Sequence, residues 1–215
     1  MCQPNTGDGE TGAVAGFADA SGGFLPLVCT LNATRVTEAV ARLLALSAED
    51  VSALALQASP GADGLIFVPY FDGERTPHLP DASGFLTGIR SDVTRAQLAR
   101  AAFEGVVCGL LNGADRLRPW MFPLHEGRTF LVGGGARSRA YRQVLADLTE
   151  SAVHAVTDEE LVSRRAAIQA SAALQGIPVD EVEQAWLSPK MICVQPTPGV
   201  DAAAIRASYD EASKR

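Results

Sequence analysis

Three consecutive glycines stand between a strand-like run and a helix-like run, in the segment Thr129-Phe-Leu-Val-Gly-Gly-Gly-Ala-Arg-Ser138. Phe130 to Val132 predicts a short strand, and the pattern from about Arg137 to Leu148 predicts a helix. Glycine lets the backbone turn sharply and approach a ligand closely. A helix start offers unpaired N–H groups and the positive end of its dipole to a phosphate. The arrangement therefore indicates a nucleotide site, although glycine turns are also common as plain connections between a strand and a helix.

A second group of side chains that could bind a ligand or catalyse a reaction lies in the loop at residues 69–80, where Asp72, Glu74, Arg75 and His78 are close together in the sequence. The prolines and the glycine of this segment exclude regular structure, and loops held on rigid scaffolds often carry functional residues. Two alternatives stay open: a loop that lines a cleft, or a solvated turn with a local Glu–Arg pair. A hydrolase that uses Asp72 and Glu74 as a carboxylate pair is disfavoured, because neighbouring acids in a loop are usually just solvated.

Composition and spacing disfavour several other kinds of site. The net charge of −7 argues against binding to nucleic acid or to an acidic membrane surface, and no apolar run approaches bilayer-spanning length. The four cysteines are scattered, which is typical of reduced thiols in a cytoplasmic protein. The three histidines share no metal-ligand spacing, so we expect no metal site. A dinucleotide-binding oxidoreductase fails on spacing, because Ser138 stands where the third glycine of the Gly133–Gly135 motif should be.

Helix caps and apolar spacing predict the elements that must position these side chains. Asn32 or Thr34 can begin a first helix, and capping boxes at Ser47 and Thr94 predict two more, the second running towards Leu117. Strands are predicted at residues 13–17, 24–30, 65–68 and 130–132, with a short edge-like strand at 152–156; further helices are predicted at 160–174, at 182–186 and from 201. Strands mixed with helices indicate an α/β layer architecture, which we assign to one domain over residues 13–215 after a mobile end at residues 1–12.

Three stretches of the chain combine into one larger pattern. The first is Gly84–Ile89, followed after a seven-residue gap by Gln97-Leu98 and then by Ala101–Glu104. The second lies just upstream and consists of Phe67–Tyr70 and Gly73–Pro77. The third lies downstream and is Val132–Ser138. In order and spacing they resemble the carboxy-terminal domain of the FGGY carbohydrate kinases, and within that family they are most similar to the xylulokinases. The resemblance runs from about Gly12 to the C-terminus.

The resemblance implies an actin-like, ribonuclease-H-like ATPase domain, with a mixed sheet flanked by helices. It implies transfer of the γ-phosphoryl of ATP to a hydroxyl of D-xylulose or a related sugar, with Mg²⁺ held mainly through the nucleotide. By this resemblance, the residues that bind ATP or ADP are Asn32, Arg35, Gly133, Gly134, Gly135, Ala136 and Arg139. The loop residues Asp72, Glu74 and Arg75 are candidates for lining the cleft between the two domains. The family also implies a cytoplasmic enzyme and a homodimer.

Departures from the family pattern limit what we expect of this chain alone. The amino-terminal sugar domain is absent, so we expect no catalytic residue here, and sugar binding only where such a domain is supplied. The Gly-Thr phosphate hairpin that should precede Gly12 is missing, which leaves a sheet edge unpaired and creates an aggregation hazard. Arg165 replaces a glycine of the relatives before Ala166-Ala167 and is expected to crowd the adenine pocket.

Two functional hypotheses follow from the same residues. In the first, the chain is the nucleotide-binding half of a xylulokinase-like enzyme, truncated or encoded as a separate piece. In the second, it is a non-catalytic binding or scaffold module that keeps the fold and has lost the chemistry. The intact glycines at positions 133 to 135 favour the first hypothesis, whereas Arg165 and the missing hairpin favour the second.

Overall fold

The computed structural model describes residues 12–18, 24–120, 128–157, 160–186 and 190–215, and most of this chain is arranged in short strands and longer helices. Apart from Gly12, the predicted mobile end at residues 1–12 lies outside the described residues. The strands are β1 (Val14–Ala18), β2 (Phe24–Val28), β3 (Ile66–Val68), β4 (Phe85–Thr87), β5 (Thr129–Leu131), β6 (Val153–Ala155) and β7 (Ile192–Val194). The helices are α1 (Thr34–Leu43), α2 (Ala48–Ala55), α3 (Arg95–Leu117), α4 (Arg139–Thr149), α5 (Leu161–Gln175), α6 (Val179–Ala185) and α7 (Ala202–Ala212).

The strands form two antiparallel pairs and one mixed sheet within the described part of the chain. β1 pairs with β2, and β3 pairs with β4. In the mixed sheet β5 runs parallel to β6, and β7 runs antiparallel to β6 on its other side. The predicted edge position of the strand at 152–156 is therefore wrong: β6 is central, because the three-residue strand β7 covers its second edge.

Two helix starts, those of α2 and α3, have the predicted side-chain caps. Asp50 N donates to Ser47 Oγ (3.0 Å) at the start of α2, and Gln97 N donates to Thr94 Oγ1 (3.2 Å) at the start of α3. The predicted cap of α1 is wrong, because Ala33 occupies the N-cap position without a side-chain hydrogen bond. The amide of Asn32 has other partners, described below.

The long helix α3 lies at the centre of the core and contacts α1, α2, α4 and β3. Its buried positions include Ala102, Phe103, Val106 and Val107, which pack with buried residues of those neighbours. Gly105 lies where α3 crosses β3, and a Cβ built there would overlap the carbonyl oxygen of Phe67. The helix and the strand approach each other closely only because this position has no side chain.

We expect Gly105→Ala to lower the free energy of unfolding by about 3 kcal/mol, because a backbone carbonyl cannot move aside as a flexible side chain can. Gly109→Ala, one turn further along α3, is the matched control. A Cβ there would lie 3.4 Å from Tyr209 Oη, and alanine favours a helix interior by about 0.5–1 kcal/mol. Urea denaturation of both variants checks the prediction, and equal stabilities would contradict it.

Candidate functional site

The glycine turn between β5 and α4 borders open space on one side and the protein on the other. Gly133 has a φ of +81°, in the region that favours glycine, and a short 3₁₀ turn follows over Gly134–Arg137. A Cβ built on Gly133 or Gly134 would meet no atom within 4 Å, whereas one built on Gly135 would lie 3.3 Å from Thr34 Cγ2. The backbone at Gly133 and Gly134 is therefore open to a ligand, while Gly135 packs against the start of α1.

The start of α4 is capped by serine hydroxyls from two elements. Tyr141 N donates to Ser138 Oγ (3.3 Å), and Ala140 N donates to Ser52 Oγ (3.0 Å), which reaches across from α2. The two hydroxyl oxygens lie 2.9 Å apart. The expectation that the helix start offers free donors is therefore wrong at these two N–H groups. Donors for an anion must come from the glycine turn itself or from side chains beside it.

Tyr141 joins the glycine turn to the core beneath it. Its hydroxyl lies 3.1 Å from Thr37 Oγ1 and donates to the carbonyl oxygen of Ala33 (3.4 Å), and its ring packs edge-on against Phe103 with centroids 4.6 Å apart. Burial raises the pKa of Tyr141, so the hydroxyl stays protonated and keeps these hydrogen bonds. The starts of α1 and α4 are thus held together behind the turn.

Arginine side chains give the surface next to the glycine turn a positive charge. Arg139, the first residue of α4, is exposed, and Arg142 lies one turn further along the helix. Arg142 Nη1 donates to the carbonyl oxygens of Ala136 (2.7 Å) and Arg137 (3.1 Å). Burial, followed by the repulsion of Arg139, lowers the pKa of Arg142. An exposed arginine beside an open glycine turn suits a phosphate-bearing ligand.

The loop at residues 69–80 is tied to the start of α1 by Glu74 and Asn32. Glu74 is buried, and its carboxylate accepts hydrogen bonds from Leu31 N (2.7 Å), Asn32 Nδ2 (2.9 Å) and Arg75 N (2.7 Å). Asn32 Oδ1 in turn accepts from Phe71 N (3.2 Å). The solvated turn with a Glu–Arg pair is therefore wrong, because Glu74 is buried and bonded to backbone and amide donors. The amide of Asn32 is engaged on both its oxygen and its nitrogen.

The remaining candidates of this loop are on the surface. Arg35 of α1 forms an ion pair with Asp72 (3.2 Å), and both side chains are 77% exposed. Arg75 and His78 are also exposed. Asp72 and Glu74 thus have different surroundings, one solvated beside an arginine and the other buried, and they do not form the carboxylate pair that a hydrolase needs. Arg35 and Asp72 border a groove of about 260 Å³ beside α1.

A buried ionic cluster, which was not predicted from the sequence, links α3 to α4. Arg100 Nε lies 2.6 Å from Glu104 Oε1, and Arg100 Nη2 lies 3.4 Å from Asp147 Oδ2; all three side chains are buried. Gly61 N donates to Glu104 (2.9 Å), and Thr197 N donates to Asp147 (2.8 Å). Burial raises the pKa of Glu104, although Arg100 opposes that shift. The four-residue spacing of Arg100 and Glu104 was the available signal, since such pairs meet on one helix face.

Arg165 on α5 forms an ion pair with Glu183 on α6, and both side chains are about half exposed. Its effect on nucleotide binding stays a prediction: Arg165→Gly is expected to tighten Mg-ADP binding in a calorimetric titration, because the larger side chain is removed from the predicted adenine pocket. Arg165→Ala is the control, since glycine also weakens a helix interior by about 1 kcal/mol. Unchanged affinity in both variants would mean that the arginine points away from the nucleotide.

Two further kinds of site are absent from the part of the chain that the structure describes. No helix there is both long enough and apolar enough to cross a membrane. No group of three or more histidine, cysteine, aspartate or glutamate side chains is placed there to hold a metal ion.

The mixed sheet, its flanking helices and the glycine turn define an α/β domain with the actin-like, ribonuclease-H-like ATPase fold. Plasmodium falciparum glycerol kinase, solved with ADP, superimposes with a TM-score of 0.79 at 17% identity, over 98% of this chain and 43% of that one. The chain belongs to the FGGY family of carbohydrate kinases: residues 3–174 match the C-terminal domain of that family.

Several members of this family that are similar to the chain are xylulose kinases. The chain is 42% identical to the xylulose kinase of Streptomyces rubiginosus over 181 residues and 43% identical to that of Streptomyces coelicolor over 177 residues. Each match covers 82% of this chain and 35% of the relative, so the chain spans about a third of their length. The solved xylulose kinase of Bifidobacterium adolescentis is 32% identical with a TM-score of 0.75, over 99% of this chain and 40% of that one.

Proposed function

We propose that this chain is the nucleotide-binding half of an ATP-dependent sugar kinase that works in the cytoplasm and phosphorylates D-xylulose or a related sugar. The observation that carries this proposal is the glycine turn at Gly133 and Gly134, whose backbone is open while the helix behind it is fixed by caps. Membership of the FGGY family and the likeness to xylulose kinases support the nucleotide and the sugar class.

The residues around the turn fit a nucleoside diphosphate. Gly133 and Gly134 allow close approach of the backbone, and Ala136 is buried directly behind them. Arg139 supplies an exposed positive charge at the start of α4. Arg35 of α1 supplies a second exposed positive charge, although it already forms an ion pair with Asp72. Mg²⁺ would arrive with the nucleotide and be held mainly by its phosphates, where it neutralises charge during phosphoryl transfer.

In the proposed reaction, the sugar hydroxyl oxygen bonds to the γ-phosphorus of ATP as the bond to the β–γ bridging oxygen breaks, and a carboxylate accepts the hydroxyl proton. This chain would bind and orient the donor. Family resemblance assigns this carboxylate to the amino-terminal domain. In this chain the buried Glu74 and the solvated Asp72 are both engaged with other partners, so neither is placed to accept that proton. We therefore expect the chain alone to be inactive as a kinase.

The competing candidate is a non-catalytic nucleotide-binding or scaffold module with the same fold. The observation in its favour is Asn32, a predicted nucleotide contact whose amide is bonded to Gly73 O (2.8 Å), to Glu74 and to Phe71 N. An amide with these partners has little capacity left for a ligand.

A calorimetric titration of the purified chain with Mg-ADP tests the proposal. Saturable binding with one site per chain is the expected result, since the glycine turn and its supporting helices belong to this chain. Circular dichroism of the same sample establishes that it is folded. A folded sample that binds no Mg-ADP would overturn the nucleotide-binding proposal and favour the scaffold module.

A further inference from the structure

A cavity of about 320 Å³ lies between β3, α3 and α7, and none of the described residues that line it belongs to the glycine turn. Its walls are mostly apolar and include Phe67 of β3 and Ile205 of α7. The buried side chains of Glu104 and Cys108 reach it from α3. A pocket of this size, with apolar walls and a few polar groups, has the usual form of a small-molecule site.

One wall of the cavity is the turn at Gly61–Gly64, in which all four residues have positive φ. Its two middle residues, Ala62 and Asp63, adopt φ values of +46° and +51°, which residues with a side chain rarely do. Such backbone persists only where its surroundings enforce it. Here α3 does so: Glu104 Oε1 accepts from the first N–H of the turn (2.9 Å), and Gln97 Nε2 donates to Asp63 Oδ2 (2.7 Å). The shape of the cavity is therefore fixed by contacts within this chain.

The cavity is acidic. Its described lining residues include Glu104 and Asp63 and no lysine, arginine or histidine. Arg100 pairs with both Glu104 and Asp147, so this buried cluster has two carboxylates for one guanidinium. The hydrogen bonds that Glu104 accepts from Arg100 Nε and Gly61 N both end on Oε1. Its other oxygen, Oε2, keeps the capacity to accept a hydrogen bond from a ligand.

The two titratable side chains that α3 contributes to the cavity differ in what they offer a ligand. Burial raises the pKa of the Cys108 thiol to about 12, so the thiol stays neutral and is no nucleophile. Burial also raises the pKa of Glu104, although Arg100 opposes that shift. A carboxylate whose charged form is disfavoured by burial is stabilised by a further cation beside it. The cavity therefore favours a positively charged ligand over an anion.

We propose that this cavity binds a small primary ammonium compound with an apolar body. The ammonium group donates to Glu104 Oε2, and the apolar body contacts Phe67 and Ile205. An ammonium group has three donors and no acceptor, which suits a carboxylate in a pocket without a competing basic side chain. The site is separate from the glycine turn and does not depend on the proposed nucleotide function.

Three probes that share one ring and differ in charge test the proposal: benzylamine, benzyl alcohol and benzoate. Each is titrated at neutral pH into the full ¹⁵N-labelled chain, and amide NMR spectra give both the affinity and the location. We expect benzylamine to bind saturably and at least about tenfold more tightly than benzyl alcohol, because a hydrogen bond between charged groups is the stronger one. Benzoate should not bind. The shifted signals should include Gly61 and Gly64, whereas those of Gly133 and Gly134 should stay in place.

Glu104→Gln keeps an acceptor for Gly61 N and removes the negative charge. We expect it to weaken benzylamine binding by at least about tenfold and to leave the affinity for benzyl alcohol unchanged. Glu211→Gln is the matched control, because it removes one negative charge from an exposed position of α7 that does not line the cavity. This variant should bind all three probes as the unmodified chain does.

A second pair of variants tests the location without touching the buried cluster. Ala204 is exposed on α7 and lines the cavity, so Ala204→Trp should fill its opening and abolish binding of benzylamine. Ala203→Trp makes the same change at the neighbouring exposed position, which does not line the cavity, and should leave binding intact. Circular dichroism establishes that each variant is folded.

Three results would overturn the proposal. They are shifts with benzylamine that do not saturate, equal affinities for benzylamine and benzyl alcohol, and unchanged benzylamine binding in a folded Ala204→Trp variant. The Mg-ADP titration is independent of these outcomes, because none of the residues substituted here borders the glycine turn. Benzylamine binding without ADP binding would keep this site and remove the nucleotide function, and ADP binding without benzylamine binding would do the reverse.

Discussion

Replacing Gly134 by valine is expected to abolish Mg-ADP binding and to leave the fold intact. A Cβ at this position would meet no protein atom within 4 Å, so the protein itself does not oppose the larger side chain. The isopropyl group would occupy the space through which the nucleotide must approach the backbone of the turn. We expect the affinity to fall by at least about 100-fold, which corresponds to about 2.7 kcal/mol. Calorimetric titration measures the affinity, and circular dichroism measures the helical content.

Two further variants show whether the effect belongs to the turn. Gly134→Ala carries a smaller side chain and should give an intermediate loss. Ala207→Val places the same β-branched side chain at an exposed position of α7 and should bind Mg-ADP as the unmodified chain does. Gly135→Ala addresses the other side of the turn, where the added Cβ is crowded by Thr34 Cγ2 and should displace the start of α1. If Gly134→Val binds Mg-ADP with unchanged affinity, the turn does not contact the nucleotide.

Local signals predicted most of the elements, because the causes of those elements lie within a few residues. Ser47 and Thr94 begin helices through hydrogen bonds to residues three positions along the chain. The central position of β6 was missed, because it depends on β7, whose three residues carry almost no periodicity.

The candidate site was only partly predictable, since its supports come from distant parts of the chain. The glycine turn was visible in the sequence, yet the hydroxyl that caps Ala140 N comes from Ser52, 88 positions away. Asn32 was predicted to cap a helix or contact nucleotide, and instead its amide binds the carbonyl of Gly73, 41 positions along. No local pattern encodes such pairings, which arise only when packing brings α1, α2 and α4 together.

The buried cluster of Arg100, Glu104 and Asp147 should be the most sensitive polar feature of the core. Arg100→Met removes the cation of the cluster, so the buried carboxylates of Glu104 and Asp147 lose their counter-charge and repel each other. We expect the free energy of unfolding to fall by about 3–5 kcal/mol, since breaking a buried ion pair from one side leaves an uncompensated charge. Urea denaturation measures the loss. Arg118→Met is the control, because its pair with Asp115 is solvent-exposed and should contribute no more than about 1 kcal/mol.

The pH dependence distinguishes lost charge compensation from lost packing in Arg100→Met. Burial raises the pKa of Glu104 in the folded chain, so the folded state binds this proton more tightly than the unfolded state does. The stability from this group is therefore present at low pH and decreases as the pH rises through the folded-state pKa. Without Arg100 that pKa rises further, so the deficit of Arg100→Met should be larger at about pH 7 than at about pH 5, just above the ordinary glutamate value. Adding Glu104→Gln should restore part of the stability at the higher pH, whereas a packing defect alone would give the same deficit at both pH values and no rescue.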